Sequence, residues 1–174
     1  KKGLPILMKV QKELDLPVSC GLGNVAILGA LFGAHERGRG HNVKVLAHYQ
    51  TITPWRSPPE QRKEPAPRVW IDHREVPDVF KAFSDVKLTR APVIDVSGSA
   101  NVPMLVAMAS GTNWTGHAPG PGGLPGGYPI AMRGGQLELD MPTGLSREEA
   151  VAWNEKFERT DGLSIRDGRF VFSG

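Results

Sequence analysis

Residues 24–50 read NVAILGALFGAHERGRGHNVKVLAHYQ, and this stretch decides the fold class. Its first half predicts a helix over Asn24–Gly38, with Asn24 as the N-cap. Val25, Ile27, Leu28, Leu31 and Phe32 leave almost no polar side, so burial on more than one face is expected. Glu36 and Arg37 mark the exposed end, and Gly38-Arg39-Gly40 stops the helix. Residues 42–53 then predict a strand, with Val43, Val45, Ala47 and Tyr49 on one face and Lys44, Leu46, His48 and Gln50 on the other.

Working outward, Leu4, Leu7, Met8 and Leu14 fall near helical spacing, and Leu16–Cys20 is a strand or an extended lead-in. On the other side, five prolines between Pro54 and Pro67 lie among Arg56, Arg62, Lys63 and Glu64. Proline removes a backbone donor, so residues 54–68 are expected to form a surface loop or an extended surface arm. Val69–Ile71 predicts a short strand and Val76–Phe83 a short helix with Pro77 in its first turn. Ala91–Val96 reads as a buried strand, followed by an apolar helix from about Val102 to Ser110. Glycine and proline crowd residues 111–129, which predicts a long irregular loop.

Two hairpins follow. Gly134-Gly135 joins Ile130–Met132 to Leu137–Leu139, and Asp167-Gly168 joins Leu163–Ile165 to Arg169–Phe172. Between them, Ser146 and Glu149 form a capping box, Ala150, Trp153 and Phe157 face inward, and Asp161-Gly162 ends the helix. Helices and strands alternate early and hairpins dominate late. The expected fold is α/β or α+β, a single domain with a mixed β-sheet covered by helices.

Composition agrees. Of 174 residues, 40% are hydrophobic and 22% charged, so the chain can bury a core. Its 21 glycines and 15 prolines argue against a helical bundle. The net charge of +3 does not imply nucleic acid, and the four tryptophans form no stacking row. One cysteine, Cys20, excludes an internal disulfide framework and makes a reducing, cytoplasmic setting the expectation. No apolar run reaches membrane-spanning length. No histidine pair has metal-ligand spacing, so no metal is expected. The chain begins Lys1-Lys2-Gly3, as a processed product or an excised domain would.

Three segments carry candidate chemistry. Gly21-Leu22-Gly23-Asn24-Val25-Ala26 matches G-x-G-x-x-A, with Gly21, Gly23 and Asn24 placed to hold a pyrophosphate at a helix start. No Asp or Glu lies in residues 42–50 to hold a ribose, and a tight strand-to-helix turn explains the same glycines. The second segment runs from Gly116 to Pro129. Its bare amides, including those of Gly122, Gly123, Gly126 and Gly127, suit an anionic substrate, with His117 and Tyr128 as proton-transfer candidates. A structural crossover or a subunit-contacting arm is the alternative. The third is His48 at a strand end, where α/β sheets present ligand-contacting groups; a histidine at the sheet margin satisfied by a backbone carbonyl is the favoured alternative. Asp95 is read as a cap for the turn or helix that follows it, and His35, His41 and His73 as solvated.

NVKVLAHYQ (42–50), HAPGPGGLPGGYPI (117–130) and LELDMPTGLSREEAVAWNEKFERTDG (137–162) together resemble the C-terminal part of saccharopine-dehydrogenase-like NAD(P)-dependent oxidoreductases. The resemblance implies a nucleotide-binding domain followed by an α+β domain for substrate binding and dimerisation, with this chain as the second part. NAD(P) would then be held mainly by a missing domain or a partner chain. The expected function is substrate binding and oligomerisation within such an enzyme, on a small polar or carboxylated substrate. A self-contained dinucleotide-binding protein and a non-catalytic subunit-interaction module are the alternatives.

Overall fold

The computed structural model describes residues 24–37, 39–88, 90–160, 163–166 and 169–172. The expected elements before Asn24, the stops at Gly38 and Asp161-Gly162, and the Asp167-Gly168 turn lie outside them, as do Gly21 and Gly23.

The fold is α+β. Helix α1 (Asn24–Arg37) leads into β1 (Val43–Leu46), which pairs antiparallel with β2 (Arg68–Ile71). β2 pairs with the two-residue β3 (Arg74–Glu75) across a tight turn. Asp72 holds that turn at a positive φ of 56°. Its carboxylate accepts from the Asn42 amide at 2.9 Å and lies 2.8 Å from His41 Nδ1, contacts that hold its pKa below the usual carboxylate range. A second antiparallel sheet has the order β4 (Trp114–Pro119), β5 (Gly127–Arg133), β6 (Gln136–Leu139). A final hairpin joins β7 (Leu163–Arg166) to β8 (Arg169–Phe172). Every described strand pair is antiparallel, which corrects the expected mixed sheet.

The two larger sheets are joined by one backbone bridge. Ala47 and Gly127 exchange backbone hydrogen bonds of 3.0 and 2.7 Å, so the end of β1 is continuous with β5. On one face of this junction lies α1. Val25, Ile27, Leu28 and Phe32 are buried there with Val43, Val45, Ile52, Trp55, Val69 and Phe83. On the other face lies α5 (Arg147–Thr160), whose Ala150 packs with Leu46, Trp70, Tyr128 and Leu145. The α5 capping box forms as expected: the Ser146 hydroxyl accepts from the Glu149 amide at 3.1 Å, and the Glu149 carboxylate accepts from the Ser146 amide at 2.8 Å.

Other expectations require correction. The strand over 42–53 ends at Leu46, because His48 turns the chain into the one-turn helix α2 (Tyr49–Ile52). The proline-rich segment is packed rather than an extended arm. Its prolines set up two 3₁₀ turns, Trp55 is fully buried, and the Arg62 guanidinium stacks 4.5 Å from the Trp55 ring. Arg62 Nη2 also donates to the Val86 carbonyl at 2.6 Å, with Nη1 near those of Phe83 and Ser84. Val76–Phe83 yields only the single turn α3 (Val79–Ala82), capped by Asp78.

Ala91–Val96 is not a strand but the opening of α4 (Arg90–Ser110), so Asp95 sits inside a helix rather than capping one. A short apolar run reads alike as strand or helix, and Pro92 fits a first helical turn. Residues 111–129 are not one long loop: strands occupy 114–119 and 127–129. Pro121–Gly123 makes a tight tip, and the Gly120 amide donates to the Gly126 carbonyl at 2.8 Å. Several glycines here mark close approach: a Cβ on Gly127 would collide with Val25, and one on Gly116 with the Trp114 indole.

Candidate functional site

A cleft of about 380 Å³ opens between α1, β1, β4 and the later part of α4. Small residues on α1, Ala26, Gly29, Ala30 and Gly33, make one smooth wall, and Trp114 lies among the other lining groups. At its floor the Lys44 ammonium meets the Asp140 carboxylate at 2.9 Å and donates to the Met141 carbonyl at 3.2 Å. Lys44 reaches the cleft because β1 alternates, turning Val43 and Val45 toward the core. Asp140 follows the end of β6, where its amide donates to the Pro129 carbonyl at 3.0 Å.

His117 lines the same cleft but is only 7% exposed. Its Nε2 accepts the Val45 amide proton at 2.9 Å, which places the ring proton on Nδ1. Burial drives its pKa down to about 4; Asp140 opposes the fall and Lys44 adds to it. The imidazole is therefore neutral near pH 7, and its lone pair is engaged by the backbone. Gly29 makes room for it, because a Cβ there would strike the ring. His117 thus fixes β1 against β4, and this geometry gives it no free nitrogen lone pair for proton abstraction.

Across the sheet junction lies a second polar group, closed rather than open. His48 and Tyr128 are brought to one face of it, and Asn154 of α5 lies between α5 and that face. Burial pushes the Tyr128 hydroxyl up to about 12. His48 caps α2 through Nδ1, which accepts from the Gln50 amide at 3.3 Å, while its Nε2 lies 3.6 Å from Glu158. Asn154 is fully buried and was not anticipated from the sequence. The signal was present, since Asn154 follows Ala150 by four residues on the inward stripe of the helix.

Two of the four expected substrate-binding glycines do not present bare amides. The amides of Gly123 and Gly127 donate to the carbonyls of Gly120 and Ala47. Gly126 uses its φ of 73° to let the Asn154 side chain approach. Gly122 alone borders an open depression of about 550 Å³, beside Leu137 and Arg147. Asn24 is the first residue of α1. His35 is partly buried rather than solvated, 2.7 Å from Glu36 and 3.1 Å from Asp85. Among the described residues no three His, Cys, Asp or Glu side chains gather to hold a metal, and no helix is long and apolar enough to cross a membrane.

No protein-family model, curated protein or solved structure matches this chain.

Proposed function

We propose that this chain binds a small polar or carboxylated molecule in the cleft between α1, β1, β4 and α4, as the substrate-binding and oligomerisation part of an NAD(P)-dependent oxidoreductase. The cleft itself carries the binding reading. Its volume of about 380 Å³ suits a small molecule, and Lys44 and Asp140 supply polar anchors at one end of a smooth wall. Lys44 attracts a carboxylate, Asp140 limits the total charge accepted, and His117 keeps the strands that frame the site in register.

The oxidoreductase part of the reading rests on the sequence resemblance of residues 117–130 and 137–162. The described cleft does not fit a dinucleotide. Its lysine is already neutralised by Asp140, and the other basic lining residue, His41, is paired with Asp72. Lys44 can turn to a single carboxylate, but the several charges of a diphosphate would face Asp140 with no further lysine or arginine in the lining to offset them. The cofactor therefore belongs elsewhere in the assembly, and the role of this chain is to hold and orient the substrate.

Calorimetric titration with a panel of small mono- and dicarboxylates tests the binding reading. Saturable binding is expected for at least one of them, and Ala30→Leu, which fills the cleft from α1, should abolish it while the fold persists. Silence across the panel, or binding unaffected by Ala30→Leu, defeats the assignment. Parallel titration with NADH and NADPH should give no signal from this chain alone.

A further inference from the structure

We propose that His48, Tyr128 and Asn154 enclose a bound water molecule beneath α5, at a site separate from the cleft. Four side-chain atoms carry the argument: His48 Nε2, the Tyr128 hydroxyl, and both Oδ1 and Nδ2 of Asn154. All are buried, and none has a hydrogen-bond partner among the described residues. The three side chains are at most 1% exposed.

Backbone geometry brings them together. Ala47 stands opposite Gly127 in an antiparallel bridge, so His48 and Tyr128 flank it on the same face of the junction. The missing Cβ of Gly126 opens that face to the Asn154 amide. Asn154 lies close enough to Tyr128 to counter part of the rise in its pKa, yet their geometry falls short of a hydrogen bond.

The chemistry of the four atoms selects the occupant. With Nδ1 accepting from Gln50, His48 Nε2 carries the proton and donates. Asn154 supplies one donor and one acceptor, and the tyrosine hydroxyl can do either. The occupant must therefore both give and take hydrogen bonds. Of the charges on the same helix, Glu155 and Glu158 add to the rise in the Tyr128 pKa and Arg147 opposes it, so no cation within the site itself favours an anion. Full burial disfavours any unpaired ion. A neutral water satisfies these conditions, and buried waters typically make about three such bonds. From there the 3.6 Å gap between His48 and Glu158 continues toward the surface, so the water joins the sheet to α5.

A crystal structure at a resolution that shows ordered solvent tests the proposal. An oxygen peak within hydrogen-bond distance of at least two of the three side chains is expected. In the double variant Tyr128→Phe, Asn154→Leu the peak should be lost. If the parent shows no peak, or His48, Tyr128 and Asn154 bond directly to one another, the proposal is wrong. A peak that survives in the double variant also overturns it. Should the double variant fail to fold, magnetisation transfer from water to the Asn154 side-chain amide of the parent decides: transfer supports the site and its absence refutes it.

Discussion

Val45 donates its amide to His117 Nε2, so protonating that nitrogen breaks a buried hydrogen bond and places a charge against α1. The folded pKa near 4 lies below the ordinary 6.5, so the unfolded chain binds the proton more readily. Stability from this residue is thus complete above pH 6.5 and is lost as the pH falls from there toward 4. The loss is on the order of 3 kcal/mol. Urea denaturation across that range should show it, and His117→Gln, which retains an acceptor but cannot titrate, should flatten the slope. An equally steep slope in the variant would remove His117 as its source. The same engagement of Nε2 is why His117, a natural acid–base candidate by residue type, emerges as a residue that positions strands. Sequence reveals a histidine's capacity to titrate, but not which backbone amide occupies its lone pair.

Among elements, α5 depends most visibly on local signals. Ser146→Ala removes the hydroxyl that accepts from the Glu149 amide and should cost about 1 kcal/mol, read as a shift in the urea midpoint. A cost near zero would mean that packing alone sets the start of α5. This helix, the buried α1 and the Gly134-Gly135 hairpin were legible because their signals lie within a few residues of one another. Gly134 and Gly135 take positive φ values of 56° and 80°, as a two-residue hairpin turn requires. The opening of α4, the strand β4 and the first residues of β5 were not legible, because tertiary contacts decide them. Glycines that read as looseness are spaces for side chains: Gly127 for Val25 and Gly126 for Asn154, both supplied from elsewhere along the chain, and Gly116 for the nearby Trp114. The candidate site was legible only in part. His48 and Tyr128 were named and do lie on one face, but Asp140 and Asn154 join their sites through folding that no local motif announces.

At the scale of the whole molecule, most of the exposed large hydrophobic side chains among the described residues lie on α4. Val102, Leu105 and Val106 of α4 are 52%, 49% and 57% exposed, and no charged residue lies between Val102 and Ser110. A two-fold copy could pack this stripe against itself without opposing like charges. We propose this stripe as the surface for the oligomerisation part of the proposed function. Light scattering at micromolar concentration should report a dimer for the parent and a monomer for Val106→Glu. A parent that is monomeric under those conditions would remove oligomerisation from the proposal, while leaving the cleft-binding reading to its own test.

The paired hydrogen bonds between Ala47 and Gly127 have a consequence for how the chain can be divided. Each sheet finishes its edge on the other, so a break in the intervening sequence would leave two fragments with matching open backbone at that joint. Fragment complementation has its natural seam there: the halves carry the means to find each other in trans, and the cleft and the buried polar layer would be rebuilt together or not at all.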